Sequence, residues 1–410
     1  MVLNLLHVGQ SRFKDKVSQA KIAAGILDRK IYNGPWEVQI DLTNACNNDC
    51  VGCWCHSPLL EELAMSKETK KKKILHDVVL RLIDDLHAMG TRYIYFTGGG
   101  DPFMHPKAIE IIEYVKSKGM ICDMSTNFSL VTKNIAQRLV KSGMNHMNLS
   151  LWAGSPESYD ATHPNKKPKD FIHFVDMVKY ISDFKKKKRK KTPIIHLYQV
   201  ISKRNYWDFD NMIEVAFYTG ADGIDFTPTD VVPGKTDSLM LSREQANWLS
   251  DKVKKSDELI LRLEKKYNRK IDFRGKDHFI RRLENIGVEH GEYDSNIIGS
   301  MPCYAGWSFL RILADGNVNS CLKSVRIPIG NIYKNSIKEI WENKKQQEFR
   351  KHTIDYDNKN PYFENIGNEH QTGNGCYLCC DNLGMNQAIH GEMKRLNGHK
   401  KRLVKLAKYF

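Results

Sequence analysis

Three cysteines fall close together at Cys46, Cys50 and Cys53, spaced C-x3-C-x2-C just after a strand-like run, Glu37 to Leu42. Thiolates are soft ligands, and three packed this tightly suit an iron–sulfur cluster. A [4Fe–4S] cube normally takes four protein ligands, so three from one loop leave one iron open to something else. A second group lies downstream: Cys303, Cys321, Cys376, Cys379 and Cys380. Five cysteines are too few for two fully cysteine-ligated cubes and enough for one. Two cysteine pairs also suit zinc, and that alternative stays open here.

The chain that must position these groups has 410 residues, 41% of them hydrophobic and 27% charged, enough to bury a core in two or three domains. No apolar run approaches the ~18 residues a membrane helix needs. Met1 to His7 lacks the charged and apolar regions of a secretory signal, so a cytoplasmic location is expected. Clustered cysteines in that setting point to metal more than to disulfides. The net charge of +15 gathers in runs at Lys70–Lys73, Lys185–Lys191 and Lys394–Lys408. No aromatic residues interleave with these runs, so they read as solvated surface and not as a nucleic-acid face.

Between residues 36 and 230 strand and helix patterns alternate. The expected strands are Glu37–Leu42, Tyr93–Thr97, Ile121–Ser125, His146–Leu151, Ile194–Ile201 and Gly223–Phe226. The first intervening helix shows an i, i+3, i+4 apolar stripe through Leu75, Val78, Val79, Leu82, Ile83 and Leu86. Helices are expected to stop at Gly90, Gly119, Gly143 and Gly220. Six such units predict an α/β fold, a partial (β/α)6 TIM-like barrel, with a small C-terminal α+β iron–sulfur domain. The expected divisions are a helical extension over 1–35, the partial barrel over 36–235, a helical connector over 236–299, the auxiliary domain over 300–385 and a basic tail over 386–410. In such sheets ligands sit at the carboxyl ends of the strands. The cysteine loop follows strand one, Gly98-Gly99-Gly100-Asp101 follows strand two, Ser125 and Asn127 close strand three, and Ser150 lies near the end of strand four.

This order of features resembles the radical SAM enzymes over roughly 36–230. The resemblance implies that Cys46, Cys50 and Cys53 hold a [4Fe–4S] cluster whose open iron binds S-adenosylmethionine. In that family reductive cleavage of the sulfonium gives a 5′-deoxyadenosyl radical that abstracts a substrate hydrogen. Gly98, Gly99 and Gly100 match the family's methionine-binding turn, Asp101 would accept from the cofactor ammonium, and Ser125, Asn127 and Ser150 would meet its carboxylate or ribose. The family usually carries an aromatic before the third cysteine. This chain has Gly52 there, with Trp54 expected to supply the packing. Cys303-x12-Gly316-x4-Cys321, with the Asp315-Gly316 hairpin turn, resembles the SPASM or twitch extension. That implies one auxiliary [4Fe–4S] cluster held by Cys303, Cys321, Cys376 and Cys379, with Cys380 as a substitute.

Cys122, inside strand three, is read either as a buried apolar thiol or as the catalytic hydrogen donor to a substrate radical. Cys55 is a spare thiol, and Tyr159 and His163 lie where substrate or surface could meet them. The expected activity is net oxidation or epimerisation of a small carbohydrate-like substrate, anionic to match the basic chain. An external one-electron reductant such as flavodoxin or ferredoxin is the implied partner. The alternatives are a peptide-modifying maturase, a nucleic-acid modifier and a non-enzymatic iron–sulfur carrier or sensor.

Overall fold

A computed structural model describes residues 13–357, 359–367, 376 and 380–409. All six expected strands are present: β1 (Glu37–Asp41), β2 (Tyr93–Thr97), β3 (Ile121–Thr126), β4 (His146–Ser150), β5 (Ile194–Ile201) and β6 (Gly223–Pro228). Each pairs in parallel with the next in sequence order. Amphipathic helices connect them, among them His76–Ala88, Ala108–Ser117, Lys133–Ser142, Pro168–Lys187 and Phe209–Thr219. Gly90, Gly119, Gly143 and Gly220 close four of these helices with positive φ.

Alternation along the strands sorts two faces. Val38, Ile40, Ile94, Phe96, Cys122, Met124, Met147 and Leu149 are fully buried against Ile83, Leu86, Ile112, Val115 and Leu139 of the helical layer. Gln39, Tyr95, Ser125, Asn148, Tyr198 and Asp225 share the opposite face, which lines the lumen. The lumen face is polar and the outer face is apolar, so a one-residue slip of register would bury the wrong set.

The sheet extends beyond the six units at both edges. The stretch expected to be a helical connector does supply helices, Arg243–Tyr267 and Lys276–Glu284, but between them β7 (Asp272–Arg274) adds a parallel strand beside β6. At the other edge β8 (Phe309–Ile312) pairs in parallel with β1, placing Phe309 opposite Glu37. β9 (Asn317–Asn319) and β10 (Gly330–Asn331) then continue antiparallel. The C-terminal region is therefore hydrogen-bonded into the barrel sheet.

The expected basic tail is also folded. Helices Leu383–Lys394 and Gly398–Leu406 and the turn between them bury Ile389, Leu396 and Val404 with Ile22, Ala23, Trp36 and Trp307. Lys405 pairs with Asp28 of the N-terminal helix Phe13–Asp28 at 2.7 Å. Positive residues there occupy the outward side of amphipathic helices, which a charge count alone does not distinguish from a disordered tail.

Candidate functional site

The backbone leaving β1 runs directly across the turn leaving β2. Asp101 N donates to Ala45 O at 2.9 Å. A Cβ at Gly100 would lie 2.0 Å from Ala45 O, and one at Gly99 would lie 2.4 Å from Asn44 Oδ1. Gly98 has φ +129°, and a Cβ there would lie 2.1 Å from Asp41 Cγ. The three glycines thus let two chain segments cross in contact, which seats the cysteine loop on the sheet edge.

Asp101 does something other than wait for an ammonium group. It is buried at 4% exposure, and its carboxylate accepts from Thr126 Oγ1 and Asn127 N at 2.7 Å each and from Phe103 N at 2.9 Å. It ties the end of β2 to the end of β3. Asn127 then turns toward the loop: its Nδ2 donates to Asn47 Oδ1 at 2.9 Å and lies 3.8 Å from Cys46 Sγ. Both expected cofactor contacts therefore hold the loop in place. Ser125 takes part in a lumen network, Tyr95 Oη to Ser125 Oγ at 2.5 Å, and Ser150 ends β4 half-buried on the same face.

Two further residues brace the loop. His56 Nε2 bonds Gly99 O at 2.7 Å, fixing the glycine turn from the far end of the cysteine segment. Cys55 N donates to Cys53 Sγ at 3.5 Å. The Cys55 thiol bonds the same sulfur, and this is the main reason the Cys53 thiol is held down at about 6. Burial pushes Cys46 up to about 12 and raises Cys50 as well. Metal binding at such thiols must expel protons, so it depends on pH.

Tyr159 and His163 are buried and stacked with ring centroids 4.2 Å apart. Burial lowers His163 to about 4, so its ring is neutral. Their segment grips the loop through Val51 N to Thr162 O at 3.0 Å and Asn165 Nδ2 to Asn47 O at 3.2 Å. They form a supporting wall under the cysteines.

Gly52 stands where an aromatic was expected, and the vacant space is filled from elsewhere. A Cβ on Gly52 would lie 3.4 Å from the ring of Trp152 and 3.1 Å from Thr229 Cγ2. Trp152 follows β4 in a left-handed conformation, φ +56°, which a bulky residue adopts only under constraint. Trp54 points the other way. Its Nε1 donates to Asp230 O at 2.9 Å, and the Lys323 ammonium sits 5.1 Å from its ring centroid.

Cys122 does not reach the lumen. It is fully buried on the outer face of β3, and burial raises its thiol far above the ordinary range. The expectation of a catalytic thiol at this position is corrected: parity along the strand sends residue 122 to the helices and residues 123 and 125 to the lumen. There the polar chain continues from Asn148 Nδ2 to Tyr95 Oη at 3.1 Å and from Arg274 Nη2 to Asn148 Oδ1 at 2.8 Å. Arg274 also holds Asp225 at 2.7 Å. Arg274 lies on β7, the strand that sequence patterning absorbed into the connector.

The late cysteines converge. Cys303, Cys321, Cys376 and Cys380 line one pocket together with Lys323, Tyr356, Asp381 and the apolar Phe349, Phe363 and Ile366. Burial raises Cys303 to about 11 and Cys376 to about 12. Cys379 lies outside the described residues. Among the described residues, no three His, Cys, Asp or Glu side chains converge on a point that would hold one metal ion. The donor set fits an iron–sulfur cluster.

Two ion pairs join the regions. Arg311 of β8 pairs with Asp41 at the end of β1 at 2.7 Å and donates to Leu322 O, beside Cys321, at 2.9 Å. Lys323 pairs with Asp230 at 2.6 Å, while Asp230 O receives the Trp54 indole. Sequence reading missed Asp41, His56, Trp152, Asp230, Arg274, Arg311 and Lys323. Each acts through a partner distant in sequence, and single-chain spacing carries no signal for that.

The comparisons with known proteins agree with this geometry. Residues 40–216 match the model of the radical SAM superfamily, and 303–364 match SPASM, an iron–sulfur cluster-binding domain. The chain is 25% identical over 323 residues to an AdoMet-dependent heme synthase of Nitratidesulfovibrio vulgaris, covering 77% of this chain and 79% of that protein. A heme synthase of Methanosarcina barkeri is 25% identical, covering 76% and 83%. In fold, the chain resembles Streptococcus suis SuiB bound to S-adenosylmethionine, with a TM-score of 0.57 at 16% identity over 78% of this chain and 68% of that one. It also resembles anSMEcpe with bound AdoMet, with a TM-score of 0.54 at 14% identity over 92% and 96%. No described helix is long and apolar enough to cross a membrane. A cluster loop seated on a barrel edge and a cysteine-lined cavity beside it thus coincide with the two matched domains: the chain belongs to the radical SAM superfamily and carries a C-terminal SPASM domain, with a [4Fe–4S] cluster that binds S-adenosylmethionine and auxiliary iron–sulfur chemistry.

Proposed function

We propose that this enzyme carries out a net two-electron oxidation of a small, polar, carbohydrate-like substrate in the barrel lumen. Cys46, Cys50 and Cys53 are assigned as ligands of the cofactor-binding cluster. Cys303, Cys321, Cys376 and Cys380 are assigned to one auxiliary [4Fe–4S] cluster. When bound, the first cluster with S-adenosylmethionine supplies a radical able to take a hydrogen from carbon. The protein's own part is to seat, orient and enclose. Gly98–Gly100 allow the loop to lie on the sheet, His56 and Asn127 fix it, and Trp152 fills the wall at Gly52. Tyr95, Ser125, Asn148 and Arg274 offer hydroxyl, amide and guanidinium groups into the lumen, suited to a hydroxylated substrate and to an anionic group on it.

The observation that carries oxidation over epimerisation is the position of Cys122. Epimerisation needs a thiol to return a hydrogen, and this thiol faces the helices. The cysteine-lined cavity, joined to the loop through Trp54, Asp230 and Lys323, offers an electron acceptor instead. The test is to reconstitute iron anaerobically, reduce it, and measure 5′-deoxyadenosine against a panel of sugars and aminocyclitols. A panel member should raise its formation and leave the reaction two electrons poorer in hydrogen. Exchange of a substrate hydrogen with solvent, without oxidation, would sink this reading.

A second reading rests on the long alignment with heme synthases, over three quarters of each chain. A heme-type macrocycle would then be handled in the same site. Stimulation of 5′-deoxyadenosine by an iron porphyrin, and by no sugar, would select it.

A further inference from the structure

Two lysine runs sit at opposite edges of the parallel sheet. Lys186–Lys191 spans the end of the helix Pro168–Lys187 and precedes β5, at the amino edge. Lys67–Lys73 lies at the carboxyl edge, against the cysteine loop. Its backbone is clamped there: Asn44 N donates to Lys72 O at 2.9 Å, Asn44 Nδ2 donates to Thr69 O at 3.1 Å, and Thr43 bridges Lys73. The segment opens as a helical turn, Lys67–Lys70, and Met65 N just before it donates to Cys55 O at 3.1 Å, so it is tied to both ends of the loop. Cys46, Cys50 and Cys53 are only half-buried beside it.

Five lysines in this segment, Lys67 and Lys70 to Lys73, face one acid, Glu68, so five positive charges less one negative leave it at +4. Lys67, Lys71, Lys72 and Lys73 are exposed. Among the described residues none of them, nor Lys70, forms an ion pair. Many other lysines do: Lys107 with Glu110, Lys118 with Asp84, Lys235 with Glu61 and Glu62, Lys252 with Asp210, Lys266 with Glu214. Unpaired like charges within seven positions repel one another, and they create a positive field at the mouth of the cofactor loop.

We propose that the Lys67–Lys73 segment is the docking surface for a small acidic one-electron carrier protein of the flavodoxin or ferredoxin class. The inference rests on the radical SAM reading, since it needs an electron acceptor beneath the loop. One electron passes from the carrier to the cluster. A flavin hydroquinone carrier ends as the neutral semiquinone, and no proton need move. Steering by opposite charge raises association rates ~10- to 10³-fold and fades with salt.

The test uses the full reconstituted chain and a purified flavodoxin. In K71E/K72E/K73E, flavodoxin affinity, read by fluorescence anisotropy, should fall at least ~10-fold and lose most of its salt dependence. The control K186E/K187E/K190E should bind like the parent. With flavodoxin hydroquinone as reductant, 5′-deoxyadenosine formation should fall in the first variant. With dithionite it should stay within about twofold. Equal loss of binding in both variants, unchanged binding in the first, or tighter binding of an RNA duplex than of flavodoxin by the parent would overturn the proposal. Absence of 5′-deoxyadenosine from the parent with dithionite would instead sink the functional reading, leaving the binding measurement to judge the lysine segment.

Discussion

Cys46, Cys50 and Cys53 come from one short loop, whereas Cys303, Cys321, Cys376 and Cys380 are gathered from distant parts of the C-terminal region around an apolar-lined pocket. The first site is local in sequence but depends on outside supports: three glycines of another strand, His56, and the Asp101–Asn127 link. The second is non-local and is supported by its own core, Phe309, Phe349, Phe363 and Ile366. A site that must admit a cofactor cannot close over its ligands, so its geometry is imposed from the sheet. A site that only holds a cluster can be wrapped.

That difference breaks most sharply on removing one thiol from each. C53S should abolish 5′-deoxyadenosine formation and drop iron from about eight to about four per chain. C303S should lose a similar amount of iron yet keep reductive cleavage of S-adenosylmethionine, uncoupled from product. Iron counting and product analysis decide it. Loss of cleavage in C303S at full occupancy of the first site would mean the two regions are not separable.

Arg311 tests the joint between them. Asp41 is 1% exposed at its side chain and Arg311 12%, so deleting the guanidinium strands a buried carboxylate directly beneath Gly98. R311M should cost about 3–5 kcal/mol in denaturant unfolding. The exposed i, i+4 pair Arg81–Asp77 is the control, and R81M should stay within about 0.5 kcal/mol. Equal effects would show that the edge pairing of β8 with β1, and not the ion pair, carries the joint.

The same contrast explains what the sequence made legible. Six strands, their helices and the cysteine loop follow from period and spacing, which are local. Strand parity, seen in the pairing of β3 with β4, puts Ser125 on the lumen face and Cys122 on the helix face, where a hydrogen-donating thiol was one of two expectations. β7 escaped notice because three residues, Asp272–Arg274, are too short for alternation to register between two charged helices. Trp152 escaped because its task, filling the space at Gly52, is set by a fold contact a hundred residues away. Cys55 had no apparent task until its bonds to the Cys53 sulfur were seen.

The smallest expected effect lies inside the apolar-lined pocket. Tyr356 Oη is buried, bonds no protein nitrogen or oxygen, and faces the Cys376 sulfur, whose thiol it helps to hold down against burial. A hydroxyl donating to a ligand sulfur favours the more negative, reduced state of a cluster, and potentials respond to such bonds. Y356F keeps the ring and its packing on Phe363 at 4.8 Å between centroids. It should therefore lower the auxiliary cluster's midpoint in an EPR-monitored titration and leave the signal of the first cluster in place. In the half-open loop, water can replace a lost donor; the Tyr356 hydroxyl is buried, so its loss is less readily made good. An unchanged midpoint would mean that the hydroxyl reaches solvent after all, and that the two sites differ less in enclosure than their linings imply.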